Sequence, residues 1–249
     1  MSKLNWKHLG VAIKQFGVID GIYLFFILCT QKKSHLYVKS WKQWFYIRPH
    51  TSDRDAFINI LIEQEYKFFT PIIPNNVIDA GANVGYFTKY IKHLYPSSTV
   101  ICLEPDSSNY SILEQNTKDL DKVFLRKAGL WSNSSMLEVV DRLQVGHWGL
   151  SVEENPLGTI KAVGINDIIN EFNWTYIDIL KIDIEGSEHQ LFSKNINWLV
   201  KTRIIIIETH ERFFPDCNIN FENAIQTYIP NHRREVVGEN IIIFNLSLM

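Results

Sequence analysis

The chain is short of cysteine, and the cysteines it has form no pattern. Cys29, Cys102 and Cys217 are odd in number and far apart. They frame neither a disulfide scaffold nor a zinc site, and a reducing cytoplasm is the expected compartment. Net charge is also nearly absent: 25 Lys and Arg against 27 Asp and Glu leave −2, so no nucleic-acid partner is expected. There is no internal repeat and no low-complexity linker. The longest apolar run near the amino terminus, Ile22 to Cys29, is eight residues. A spanning helix needs about 20, so no membrane span is expected, and no small-residue cleavage site follows that marks a signal peptide. The dinucleotide spacing G-x-G-x-x-G is missing as well.

What is present suits one large core: 249 residues, 46% apolar and 21% charged. Its charge is uneven. Residues 1–48 carry eight Lys or Arg against Asp20 alone, giving +7 and leaving −9 for the rest. Residues 1–47 therefore read as a basic and aromatic extension, expected to be helical, before a domain spanning 48–249. Two roles fit it. Helices can pack on the domain with Phe16, Leu24 and Phe26 inward, or a face with Lys32, Lys33, Trp41, Trp44 and Tyr46 can touch anionic lipid peripherally. Packing is the commoner arrangement and is the expectation.

The stretch from Asn76 to Phe87 organises the remainder. Val77-Ile78 reads as a buried parallel strand, Gly81 and Gly85 break it, and Tyr86 to Leu94 has helical spacing. Strand, glycine turn and helix bring backbone amides to a polar ligand. Asp79 lies beneath the turn, where it repels a pyrophosphate and attracts an ammonium or sulfonium. A second strand, Thr99 to Leu103, ends at Glu104-Pro105-Asp106, and an acid there is placed to accept ribose hydroxyls. Pro105 stops that strand, and Asn109 starts a helix.

Around these elements, Ser52 or Asp53 is expected to cap a helix from Arg54 to Phe68, with Arg48 nearby. After a third strand, Ala128-Gly129 leaves room for a flat base, with Leu130 or Trp131 as a wall. Extra strands near 136–140 and 159–163 flank Gly146-His147-Trp148-Gly149, a loop able to close over an acceptor. In the strand from Asp178, alternation puts Lys181, Asp183 and Glu185 on one face. The strand Arg203 to Ile207 ends at Glu208-Thr209-His210-Glu211-Arg212. Charged groups at successive strand ends favour a ligand site.

Five segments in this order resemble the FkbM family of S-adenosylmethionine-dependent methyltransferases. They are Val77 to Thr88, Leu103 to Asp106, Gly129 to Trp131, Leu180 to Glu188 with its Lys-Ile-Asp-Ile-Glu-Gly core, and Ile207 to His210. The resemblance spans roughly 48–247. It implies an α/β class I methyltransferase fold: a Rossmann-like, seven-stranded, mostly parallel sheet with helices on both faces, here preceded by the extension. It implies S-adenosyl-L-methionine as cofactor, with Asp79, Gly81, Asn83 and Gly85 at the methionine part and Glu104 at the ribose. Ala82, Tyr86, Pro105, Asn109, Gly129, Leu130 and Asp183 complete the expected binding set. Methylation of a hydroxyl on a sugar, glycan or small-molecule natural product follows as the expected reaction. Asp183 is the first candidate base or orienting group, and His210 the second because an unperturbed imidazole titrates near neutrality. No metal is expected, because Asp183, Glu185, Glu208 and His210 are not spaced as a known metal motif. A non-catalytic nucleoside-binding subunit and an NAD enzyme stay open as rivals.

Overall fold

A computed structural model of the protein describes residues 5–30, 35–68, 70–141, 150–210 and 217–249. The chain opens with α1 (Trp6–Thr30) and a hairpin of β1 (His35–Val38) and β2 (Gln43–Tyr46). Next come α2 (Asp53–Phe57), β3 (Asn76–Ala80), α3 (Tyr86–Leu94), β4 (Thr99–Leu103), α4 (Ser107–Thr117) and β5 (Val123–Arg126). A four-stranded insertion follows: β6 (Gly129–Trp131), β7 (Ser135–Asp141), β8 (Leu150–Glu154) and β9 (Ile160–Gly164). The second half contains α5 (Ile165–Glu171), β10 (Ile177–Ile182), α6 (Glu188–Leu191), β11 (Thr202–Glu208), α7 (Cys217–Tyr228), β12 (His232–Val237) and β13 (Asn240–Asn245).

The described residues build a seven-stranded sheet in the order β12-β13-β11-β10-β3-β4-β5. Five strands run parallel, and β13 and β12 close one edge antiparallel. Period-two side-chain alternation divides the core between the two faces. Val77, Val100, Ile179, Ile204 and Ile206 point to one face, with Phe87 and Ile91 of α3. Ile78, Ile101, Leu180, Ile205 and Ile207 point to the other, with Ile168 of α5 and Phe221 of α7. This is the class I methyltransferase fold. Its order reverses at β3, between β4 and β10, and a crevice opens where such strands end.

The amino-terminal part departs from expectation in three ways. Residues 35–46 form a β-hairpin instead of a helix. The apolar run proves to lie within a longer helix, α1, which is long and apolar enough to cross a membrane by length and composition. That helix is broken at Gly17, at φ 82° and ψ 166°. Its two arms, 6–16 and 18–30, double back: the Trp6 and Phe25 rings lie 6.1 Å apart, and a Cβ on Gly21 would fall 2.5 Å from the Ile13 backbone. At 1.5 Å per residue each arm reaches roughly 16–20 Å, short of a bilayer core of about 30 Å. Phe16 and Leu24 are buried as expected, but Phe26 faces outward.

The helix expected over 54–68 is shorter. After α2, residues Ile58–Ile62 form a π-helical turn, and Gln64 has a left-handed φ of 56° that ends it. Neither Ser52 nor Asp53 caps this helix through its side chain. Asp53 is fully buried and spent on Arg48, bonding its backbone N–H at 2.8 Å and its guanidinium at 2.7 and 2.9 Å. The Gly146-His147-Trp148-Gly149 loop and Glu211-Arg212 lie outside the described residues.

Candidate active site

The glycine turn begins where β3 ends. Gly81 has φ +73°, and a Cβ there would fall 1.7 Å from the Asp183 carbonyl oxygen just beyond β10. Only glycine allows the turn and the fourth parallel strand end to approach so closely. Asn83 and Gly85 are also left-handed, and Gly85 starts α3. Gly85 faces away from the crevice, because a Cβ there would meet Leu113 of α4 at 2.7 Å.

Four of the turn's amides are already occupied. Gly81 and Ala82 donate to the Leu103 carbonyl at 3.0 and 2.9 Å, Gly85 donates to Ala82, and Asn83 donates to Glu104 Oε2 at 2.8 Å. From sequence alone these amides are expected to face a ligand. The amides of Gly81, Ala82 and Asn83 are instead spent on the end of β4, which leaves fewer donors for a pyrophosphate at this turn. Glu104 is nearly buried, and its other oxygen accepts from the Asp106 amide at 2.9 Å. Burial raises its pKa, while these two amide bonds oppose the rise. Each fixed carboxylate oxygen keeps a further lone pair for a ribose hydroxyl.

Asp79 is fully buried and does not open onto the crevice. Thr88 of α3 donates to its Oδ2 at 2.6 Å, and Lys181 Nζ lies 3.6 Å from its Oδ1. The sheet register sets Asp79 directly beside Lys181 on β10. Lys181 also donates to the Gly81 carbonyl at 2.6 Å and stands 3.4 Å from Asp183 Oδ2. Burial disfavours the Lys181 cation, but Asp183, Tyr66 and Asp79 outweigh it and raise the pKa. Asp79 thus acts on the turn through Lys181.

Three other expected contacts are engaged within the protein. Tyr86 is buried between Phe45 and Phe57, and its hydroxyl donates to the Tyr46 carbonyl at 2.7 Å. The Leu130 side chain belongs to the core beside Ile101 and Leu103, so it is no wall for a base. A Cβ on Gly129 would meet nothing nearer than Leu137 at 3.7 Å, so space is left beside it. Asn109 accepts from Arg48 Nη2 at 2.6 Å, and Ser108 accepts from Nη1 at 2.5 Å. Arg48 is therefore a latch between α2 and α4, not a substrate anchor. Pro105, partly exposed beside Glu104, stays next to the crevice.

Beyond Asp183 the carboxylates crowd together. His210 Nε2 lies 4.0 Å from Asp183, 3.4 Å from Glu185 and 3.8 Å from Glu208. Its Nδ1 meets the fully buried Glu188 at 2.8 Å, which fixes the ring. Burial alone lowers the His210 pKa, but the Glu188 hydrogen bond and the surrounding carboxylates raise it to about 9. That shift favours the imidazolium at neutral pH, which suits His210 less to the role of a neutral base. Glu208 is pushed up to about 7 by burial and by Asp183. Glu65, which follows the π-helical turn, is likewise pushed up to about 7 by burial, Glu208 and Asp183. Asp183, Glu185 and His210 bring one ligand atom each within 4.8 Å of one another, a spacing a metal ion fits.

Glu65, Glu188 and Thr88 also belong to this site and are not among the residues expected from the sequence. Glu188 had a signal in the Gly186-Ser187-Glu188 run after β10, whereas Glu65 carried none. The whole suits S-adenosyl-L-methionine. Acid groups outnumber cations around the crevice, which favours a sulfonium and an ammonium, and Glu104 is held ready for a ribose.

Comparison with known proteins agrees. Residues 79–234 match the methyltransferase FkbM domain. Methyltransferase 1 of Beauveria bassiana (strain ARSEF 2860) is 26% identical over 136 residues, covering 45% of this chain and 55% of that protein. Methyltransferase sdnD of Sordaria araneosa is 25% identical over 178 residues, covering 56% of this chain and 68% of its own. The chain thus spans only about half to two thirds of these relatives' length. The crystal structure of methyltransferase FkbM from Methylobacillus flagellatus KT superposes with a TM-score of 0.51 at 15% identity, over 96% of this chain and 58% of that one, and shares its fold. The chain belongs to the FkbM methyltransferase family, and the family implies S-adenosyl-L-methionine as the methyl donor.

Proposed function

We propose that the protein methylates a hydroxyl group, on a sugar, a glycan or a small-molecule natural product. The observation that carries this reading is the carboxylate cluster at the ends of β10 and β11, with Glu208 titrating near neutrality beside a protonated His210. A hydroxyl acceptor has to lose its proton, and a base matched to the working pH typically supplies about 10²–10⁴-fold. A thioether or an already anionic acceptor needs no such group.

The cofactor, when bound, supplies an already activated methyl group. The protein's own contribution is then alignment and proton removal. Alignment of the reacting atoms can supply roughly 7–11 kcal/mol. Lys181 ties the Gly81 turn to Asp183, so cofactor turn and acceptor side are held as one unit. Asp183, partly exposed at the strand end, is placed to orient the acceptor hydroxyl. Glu208 is the better matched proton acceptor, and His210 as a cation opposes the rise that burial and Asp183 impose on Glu208 and Glu185.

The test is product analysis. The protein is incubated with isotopically labelled S-adenosyl-L-methionine and a panel of hydroxylated sugars, glycans and polyketide-type compounds. A labelled methyl ether in one of them supports the reading. Transfer only to nitrogen, sulfur or carbon acceptors would overturn it.

A further inference from the structure

We propose that the outer face of the α1 hairpin docks the protein onto an anionic lipid surface. The second arm is apolar on two opposite sides. Asp20, Gly21, Leu24, Phe25 and Leu28 face inward and are buried. Val18, Ile19, Ile22, Tyr23 and Phe26 form a second stripe at i, i+1, i+4, i+5 and i+8, pointing away from the protein. Val18 is 62% exposed, Ile19 77% and Phe26 57%, and Trp6 of the first arm is 79% exposed where it stacks on Phe25. A helix packed only on its own domain places polar residues on such a face.

Charge identifies the occupant. Lys7 and Lys14 are exposed on the first arm, and Lys39 and Lys42 are exposed in the β1–β2 turn. The segment's lone acid, Asp20, is buried and accepts from the Ser40 amide at 2.8 Å, so it adds no negative charge to the outer face. A segment whose residues 1–47 carry seven Lys against one acid, with an exposed apolar stripe, matches an anionic headgroup layer over acyl chains. A second copy fits worse, because a twofold contact would set this basic segment against itself. The arms are too short to span, so the hairpin rests in the interface without crossing.

The docking element also lies close to the catalytic cluster. Gln15 of the first arm donates to the Ile62 carbonyl, and His8 meets Glu63 at 3.0 Å. Two residues further on, Glu65 senses the charges of Glu208 and Asp183. A lipid-bound face there would bring the crevice near acceptors displayed at a membrane.

The full chain is sedimented with vesicles of phosphatidylcholine alone and of phosphatidylcholine mixed with phosphatidylglycerol. Binding is expected only to the mixed vesicles, and it should weaken as salt rises. Lys7→Gln and Lys14→Gln should each weaken it about fivefold. The double variant Ile19→Gln with Phe26→Gln should weaken it by at least about tenfold while keeping the wild-type melting temperature, since both side chains are exposed. Absence of binding, equal binding to neutral vesicles, or unchanged binding in both sets of variants would overturn the proposal. A concentration-dependent dimer abolished by Ile19→Gln, without vesicle binding, would assign the face to a second copy instead. The lysine variants and the comparison of lipids decide the matter even if the apolar double variant misfolds.

Discussion

Asp183 and His210 lie 4.0 Å apart and have different tasks. Asp183→Asn keeps shape and removes the charge that orients the acceptor, so kcat is expected to fall about 10²-fold while donor affinity changes little. Equal turnover at saturating donor and acceptor would remove Asp183 from the mechanism. Glu208 sets the acid limb. It must be deprotonated to accept a proton, so activity should rise as pH passes about 7, and Glu208→Gln should abolish that limb. The alkaline limb belongs to His210: activity should fall as pH passes about 9, where the imidazolium is lost. Steady-state rates between pH 5 and 10 check both limbs together, and a profile flat from 6 to 8 in the wild type would exclude Glu208. Repeating the assay in EDTA separates proton chemistry from a metal held by Asp183, Glu185 and His210. Retained activity is expected, and loss restored by a divalent cation would assign a metal to them.

At the scale of elements, the sequence was legible where burial and chain direction coincide. The β3–turn–α3 unit, β4, β10 and β11 announce themselves through apolar runs that end in charged residues. Their Asp79, Glu104, Asp183 and Glu208 lie where the strands end. Less legible was anything fixed by one residue's backbone angle. Gly17 sits in an apolar stretch and gives no sign that it doubles the helix back, nor does Gln64 that it stops one. Contacts spent inside the protein were equally hidden. Tyr86, Asn109 and Leu130 have side chains suited to a ligand, but tertiary partners take them first. The Gly81 turn offers an element-scale prediction. Gly81→Ala forces a Cβ to within 1.7 Å of the Asp183 carbonyl at a positive φ, so the turn must separate from β10. Donor affinity should fall at least about tenfold, with a lower melting temperature, whereas Ala82→Gly should leave affinity near wild type. Calorimetric titration with S-adenosylhomocysteine measures this, and tight binding by Gly81→Ala would show that the close approach is dispensable.

For the whole molecule, the open matter is whether residues 1–47 are an attachment or part of the fold. Phe16, Leu24, Leu28, Leu36, Val38 and Phe45 are buried in the same cluster as Phe57, Phe87, Val100 and Ile206 of the methyltransferase sheet and its helices. Polar groups tie the two parts as well. The Tyr46 carbonyl accepts from the Tyr86 hydroxyl, and its amide donates to Asn116 Oδ1 at 2.8 Å. Lys89, lowered to about 8 by burial, sits 4.8 Å from the Phe45 ring centroid. Each large apolar side chain fully buried contributes about 1.5–3 kcal/mol, and a whole domain is stable by only about 5–15 kcal/mol. Deleting half a dozen such residues, and exposing the surfaces they cover, therefore exceeds the entire margin. A chain starting at Arg48 is expected to aggregate or to lack a cooperative thermal transition, and to lose activity through misfolding. Differential scanning calorimetry, size exclusion and the methyl-transfer assay on the shortened chain check this. A soluble protein melting at the wild-type temperature would show that the shared core is unnecessary and that residues 1–47 serve only as an attachment.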